Sequence, residues 1–388
     1  MKPSVLACAL AGALALAACD RAGAPVETSL SVAEAMASDT TGYARADRVR
    51  DFVFPDDFGP HPDFRTEWWY LTGNLRATDG SARDYGFQFT LFRNALVPPA
   101  ARSRGRASAW AADQLYLAHV ALSDLAAGRF FHDERLERGA AGLAGARADP
   151  FRVWLGPLDL RLAPGRTVGE AIPMRLRAEA GGAAYDLTLQ PLKPIAFHGE
   201  RGLSQKGDRP GDASYYFSFT RMEARGTVTV DGKAVAVQGL AWMDREWFTN
   251  ALAEDQVGWD WFALHLDDGR DLMVYQLRRP DGSFDPRSKG LLVEADGRHR
   301  VLSSGEYTLT PEGWWAAPDG ARYPVRWRVR VPGEGLDLRV AARLEAQEHT
   351  ASAVRYWEGA VAVSGSVSGL GYLEMTGYAE AAQQGRSR

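Results

Sequence analysis

Apolar and polar positions alternate over short stretches along most of the chain, with glycine-bearing turns between them. "WWYLTGNLRA", "DYGFQFTLFR", "QLYLAHVALSD", "YDLTLQPL", "YYFSFTRM", "YPVRWRVRVP" and "LDLRVAARLEAQE" are rich in aromatic and β-branched residues. That content fits a pleated, half-buried strand. Three pairs of such stretches are joined through Asp79-Gly80, Asp231-Gly232 and Asp268-Gly269. Asp-Gly is a hairpin signal, because both residues tolerate the positive φ that a tight turn demands. No long amphipathic helical pattern interrupts the series. The pattern predicts an all-β chain of antiparallel barrels or sandwiches, and a length of 388 residues suits two of them. A long glycine-rich loop spans Lys193 to Ser214, and the hairpin from Gly226 to Val237 can close a first barrel. The expected organisation is therefore one barrel over residues 51–237, a second over 238–380, and a tail at 381–388.

The N-terminus departs from this pattern. "MKPSVLACALAGALALAACD" holds one charge, Lys2, then an apolar run from Val5 to Ala18. The run is too short to span a bilayer and fits the h-region of a signal peptide covering residues 1–18. Leu16-Ala17-Ala18-Cys19 matches a lipobox, in which Cys19 is lipidated and becomes the mature N-terminus. An ordinary signal peptide cut near the same site is the alternative. Residues 19–50, small and polar, read as a tether to a membrane on its periplasmic face. Asp20 after Cys19 resembles an inner-membrane retention signal; the outer membrane is the other destination. Cys8 leaves with the signal, so the two cysteines of the chain form no disulfide in the mature protein. Losing Lys2 takes the formal charge from −4 to −5, and neither value favours nucleic acid as a partner.

Standard catalytic signatures are missing. There is no G-x-S-x-G, Walker loop or H-E-x-x-H, and the seven histidines have no metal-ligand spacing. No cofactor is called for. What remains is a set of acids among aromatics: Glu67 in "RTEWWYLTGNL", Asp244 and Glu246 in "GLAWMDREWF", Asp260 in "GWDWFALHL", and Glu358 in "RYWEGAVAVSG". An acid on an apolar strand is either a structural carboxylate paired with an arginine or a hydroxyl, or a functional acid whose pKa is raised by desolvation. Glu67 with Trp68, Trp69 and Tyr70, and Glu358 with Tyr356 and Trp357, are assigned to structure, at the starts of corresponding strands in the two barrels. Asp244, Glu246 and Asp260 are the candidate catalytic acids. Arg245, Trp242, Trp247, Trp259 and Trp261 are the candidate ligand contacts, the whole group meeting at one barrel mouth.

"HPDFRTEWWYLTGNL", "GLAWMDREWF", "GWDWFALHLDDGRDLMVYQLR", "RYWEGAVAVSG" and "GYLEMTGY" together resemble the AttH-like family, a lipocalin-like group related to carotenoid 1,2-hydratase. The likeness runs from about His61 to Tyr378. It implies two consecutive lipocalin-like barrels and, through the hydratases, addition of water across an isoprenoid double bond. That chemistry needs a proton donor and aromatic faces to stabilise a cation. Where the hydratases carry Asp-His-x-Trp, this chain has Asp244-Arg245-Glu246-Trp247, so the histidine is replaced by an arginine that cannot shuttle a proton. The first expectation is therefore binding or transfer of an apolar ligand, a lipid or isoprenoid, with Arg245 keeping the acids ionised. Acid catalysis on an apolar substrate is the second. The family also implies association with an ABC-type permease, so an accessory subunit is the third.

Overall fold

The computed structural model describes residues 40–102, 108, 111–163, 172–250, 255–350 and 355–379; the signal peptide, Cys19 and most of the expected tether lie outside them. Among the described residues the chain forms two antiparallel sheets. The first has 13 strands: β1 (Thr66–Ala77), β2 (Asp84–Ala95), β3 (Gln114–Asp124), β4 (Arg129–Arg138), β5 (Ala144–Arg147), β6 (Arg152–Leu155), β7 (Leu158–Leu162), β8 (Met174–Ala180), β9 (Ala183–Pro191), β10 (Ala196–Phe197), β11 (Leu203–Gln205), β12 (Ala213–Val230) and β13 (Lys233–Phe248). The second has 10: β14 (Gly258–Leu266), β15 (Asp271–Arg278), β16 (Lys289–Val293), β17 (His299–Ser303), β18 (Thr308–Ala316), β19 (Arg322–Val331), β20 (Leu336–Ala342), β21 (Glu348–His349), β22 (Tyr356–Gly365) and β23 (Gly369–Thr376). Helix is confined to short turns among the described residues. The all-β, two-barrel expectation holds.

The Asp-Gly signals act as read. Asp231 and Gly232 take φ of 50° and 75° between β12 and β13, the double left-handed turn that matches strand twist. Gly80 (φ 83°) and Gly269 (φ 91°) turn β1 into β2 and β14 into β15. The first sheet runs in the order β4-β3-β2-β1-β13-β12-β9-β8-β7-β6-β5 and curls until β4 packs against β8. The second runs β17-β16-β15-β14-β23-β22-β20-β19-β18 and closes less far.

Two boundaries differ from expectation. β13 stays paired with β1 and β12 up to Phe248, so the first sheet extends beyond Val237 and the second begins only at Gly258. No turn residue marks the change, because β13 is one continuous strand. Residues 40–50, expected to be tether, pack on the first barrel: Ala46 is fully buried and the Tyr43 hydroxyl donates to Ala95 O at 3.2 Å.

Each sheet has its own apolar core, and a third cluster joins them through Tyr70, Ala196, Tyr216, Trp242, Trp261, Met273, Tyr275, Ala360 and Tyr372. At Gly86 a side chain has no room, since an added Cβ would lie 2.8 Å from both Ala360 Cβ and the Tyr372 hydroxyl. Polar bonds cross the same seam. Asn74 Nδ2 donates to Gly371 O (3.0 Å), Ser123 Oγ to Gln347 Oε1 (2.6 Å) and Lys193 Nζ to Asp271 Oδ2 (2.7 Å). Strands β1, β2, β3, β12 and β13 are thereby two-sided, with one row of side chains in the first barrel and the other against the second sheet.

Candidate functional site

A cavity of about 240 Å³ opens in this seam. Strand alternation selects its walls. From the first half come Thr66, Trp68 and Tyr70 of β1, Thr90, Phe92 and Asn94 of β2, Leu117 and His119 of β3, Tyr216 of β12, and Asp244 and Glu246 of β13, with Lys206 from the loop after β11. From the second come Trp259 and Trp261 of β14, Tyr275 and Leu277 of β15, Tyr356 and Glu358 of β22, and Glu374 and Thr376 of β23. On every strand that contributes more than one, they are alternate residues. Register brings them side by side. Tyr70 and Ser218 flank Asp244, Trp68 and Tyr216 flank Glu246, and Glu358 lies opposite Glu374.

Four carboxyls thus face an aromatic-walled space. Asp244 is the most elaborately held. Its Oδ1 accepts from Ser218 Oγ and from Trp242 Nε1 (2.6 Å), and its Oδ2 accepts from the Tyr216 hydroxyl. Burial pushes Asp244 up to about 7, a rise the three donors oppose and the charge of Glu246 reinforces. Glu246 accepts from Lys206 Nζ and Ser214 Oγ. The Lys206 ammonium lies over the rings of Tyr216 (5.2 Å) and Tyr275 (5.6 Å). Burial pulls Lys206 down, but the Glu246 charge and hydrogen bond, with Tyr275 and Asp244, together outweigh it and the net shift is upward.

On the opposite wall Glu358 accepts from the Tyr70 hydroxyl at 2.7 Å and Glu374 from Trp259 Nε1 at 3.1 Å. Burial, then the neighbouring Glu374 charge, holds Glu358 well above the usual carboxylate range. Burial pushes Glu374 up to about 8, with the Asp244 and Glu246 charges adding to it. Desolvation likewise raises Tyr70, Tyr216 and Tyr356, so their hydroxyls remain donors. Among the described residues no arginine lines the cavity, and its one cation, Lys206, is tied to Glu246.

The structure separates the residues that the sequence grouped. Arg245 and Trp247 sit on the opposite face of β13, inside the first barrel. There Arg245 bonds Glu67 and Gly59 O, lies 4.1 Å from the Trp69 ring, and Trp247 stacks on His61 at 3.7 Å. They are not cavity residues, because neighbours on a strand point to opposite faces. Asp260 also leaves the group. It faces the second barrel's interior, accepting from Gln276 Nε2 (2.7 Å) and the Tyr378 hydroxyl (2.9 Å), with Arg278 beside it. Trp259 and Trp261 do join Asp244 and Glu246, whereas Trp242 is buried behind Asp244 as its donor.

Glu67 and Glu358 are not equivalent. Glu67 lies in the first barrel with the Arg93 and Arg245 guanidiniums and the His61 N–H; burial would raise it, but the two arginines hold it well below the usual range. Trp69 and Trp357 are barrel-core residues, fully buried. Glu358, Tyr70, Trp68 and Tyr356, assigned to structure, line the cavity instead. Lys206, Tyr216 and Glu374 were not singled out by sequence, and His119, which in "YLAHVALSD" reads as a satisfied core histidine, lines the cavity instead. Glu374 alone had a local signal, the alternation Tyr372, Glu374, Thr376 in "GYLEMTGY".

Chemically, the cavity offers protonatable carboxyls near neutral pH, tyrosine donors and indole faces. Among the described residues no group of three His, Cys, Asp or Glu is placed to hold a metal ion.

Comparison with known proteins fits this architecture. The family model described as AttH-like matches residues 45–378. A crystal structure of an AttH-type protein from Nitrosomonas europaea is 35% identical, with a TM-score of 0.75, covering 86% of this chain and 99% of that one. Kievitone hydratase from Nectria haematococca shares the fold at 16% identity and a TM-score of 0.62, covering 86% and 95%. No curated protein sequence matches. With the family match spanning nearly all of the folded chain, the protein belongs to the AttH-like family.

Proposed function

We propose that this protein is an acid catalyst that adds water to, or removes it from, a carbon–carbon double bond of a neutral apolar substrate held between the two barrels. One observation carries the reading. Asp244 lies buried, facing indole and phenol rings, with no guanidinium lining the cavity among the described residues, and burial pushes its pKa up to about 7. A general acid works best with a pKa near the ambient pH. One reason to favour binding without catalysis was an Arg245 beside the acids keeping them ionised, and Arg245 faces away. The kievitone hydratase likeness supports a hydratase-like fold and no particular substrate.

In the forward direction the Asp244 proton goes to one alkene carbon, the π bond breaks, and a tertiary cation is left beside Trp68, Trp259 and Trp261. Water adds through oxygen to the cation and returns a proton to Asp244, so the acid is restored. The Glu358–Glu374 pair remains protonated near neutrality and keeps the facing wall without full charge. The remaining carboxyl, Glu246, and a lysine already paired to it disfavour an anionic substrate such as a diphosphate ester.

The test is incubation of the protein with isoprenoid alkenes in ¹⁸O-water, followed by mass spectrometry of the products. Labelled tertiary alcohol should form with the wild type and fall by about a hundredfold or more in Asp244→Asn. Unlabelled alkene recovered bound to the protein, with no alcohol at any pH, would replace catalysis by ligand binding or transfer. We also propose that Cys19 carries lipid and holds the protein at the periplasmic face of a membrane, where an ABC-type permease is the fitting partner. Radiolabelled palmitate should enter the wild type and not Cys19→Ser.

A further inference from the structure

His198 lies outside the cavity wall, in the glycine-rich loop after β10, and no part of the mechanism above uses it. Its position is closely fixed. The His198 N–H donates to Tyr216 O (3.1 Å), its carbonyl accepts from Gly202 N–H (2.9 Å), and its side chain is buried. The imidazole stacks on the Tyr216 ring at 3.6 Å and 8°, and Nε2 lies 2.7 Å from Ser218 Oγ. Ser218 Oγ in turn contacts Asp244 Oδ1, and Tyr216 contacts Asp244 Oδ2. One histidine therefore touches a donor to each oxygen of the candidate acid.

We propose that His198 is a positioning residue for Asp244: by donating Nε2–H to Ser218 Oγ it turns the serine hydroxyl onto Oδ1, so that the acid proton resides on Oδ2, beside Tyr216 and the cavity. The argument is one of donor counting. A serine hydroxyl has a single hydrogen. If His198 Nε2 carries its proton, Ser218 accepts there and has only Oδ1 left as acceptor. Trp242 Nε1 on the same oxygen can only donate. Two donors then occupy Oδ1, and a proton on Asp244 has its place on Oδ2. Were Nε2 bare, Ser218 would turn towards His198, and Asp244 would place its proton on Oδ1, away from the substrate. Burial, with the Lys206 and His299 charges, keeps the imidazole neutral, so the tautomer and not the charge is what matters. The other groups that face Asp244 are Glu246, Lys206, Glu374 and Tyr70. None of them touches Oδ1. The inference rests on Asp244 being the acid of the proposed reaction.

The experiment is a pH titration of the protein labelled with carboxyl-¹³C aspartate, the Asp244 resonance being assigned by its loss in Asp244→Asn. Ser218→Ala should raise the Asp244 midpoint by about one pH unit, the worth of one hydrogen bond to a carboxylate. His198→Phe keeps the ring stack but removes the donor, and should shift the midpoint in the same direction by a smaller step. His198→Gln, which returns an N–H near Nε2, should restore it. The double variant His198→Phe/Ser218→Ala should titrate like Ser218→Ala alone, because both act through one hydroxyl. An unshifted His198→Phe midpoint, or full additivity in the double variant, would overturn the proposal. If His198→Phe does not fold, His198→Asn, too short to reach Ser218, serves in its place. Full hydration activity in Asp244→Asn would remove the catalytic reading itself, and the titrations separate that failure from a failure of His198.

Discussion

Asp244 and Arg245 are joined by one peptide bond, yet they belong to different interiors. Arg245 is fully buried in the first barrel, where it and Arg93 bracket Glu67; Asp244 faces the seam. Replacing Glu67 by Gln would strand two buried guanidiniums, and a loss of about 3 to 5 kcal/mol in unfolding free energy is expected from denaturant melts. The two kinds of acid also give opposite pH dependence. Glu67 has a folded pKa below its unfolded value, so its contribution is present above about 4.5 and fades as pH falls. Asp244 and Glu374 have folded values raised from 3.8 and 4.5 to about 7 and 8. Folding is favoured while they bind protons, and that contribution is lost as pH rises from about 4 to about 8. Buried histidines held neutral, such as His198, act in the opposite direction, so the comparison is with Asp244→Asn/Glu374→Gln: the melting temperature of the wild type should fall relative to that variant across this interval, and a constant difference would refute it. The acids were legible as acids among aromatics. Their environments were not, because the partners Arg93, Lys206 and Tyr216 come from strands and loops distant in sequence.

At the scale of elements, local signals did most. The Asp231-Gly232 turn and its two counterparts announce hairpins because the turn residues themselves carry the conformation. The end of the first sheet had no such marker, since β13 runs unbroken from Lys233 to Phe248, and the break was placed too early. Equally invisible was the contact of β2 with the second sheet at Gly86, where the missing side chain is what allows Ala360 and Tyr372 to approach. Gly86→Val should cost about 1 to 3 kcal/mol through overpacking. It should also widen the seam, read as increased tryptophan exposure to a soluble quencher, with far-UV spectra unchanged. A quenching profile equal to the wild type would mean that the sheets do not meet there.

At the scale of the molecule, the two sheets are coupled by buried polar bonds as well as by apolar contact. Asp271 at the start of β15 accepts from Lys193, Thr220 and Arg221 of the first half and is fully buried. Calorimetry should show one unfolding transition for the wild type, and Asp271→Ala, which leaves those donors without their acceptor, should split or broaden it. The pairing of two barrels was readable from the number and spacing of hairpins, whereas the placing of the cavity between them rather than within one was not, since alternation alone does not say what covers a strand's second face. The two-sided strands also limit how this chain can change length. Inserting one residue in the middle of β13 would exchange Asp244 and Glu246 with Arg245 and Trp247, driving carboxyls into one core and a guanidinium into the other. Insertions of two residues keep the parity. Natural relatives should therefore vary in length at the hairpin tips, and within β1, β12 and β13 only by even steps or by bulges such as the one between Phe219 and Met222.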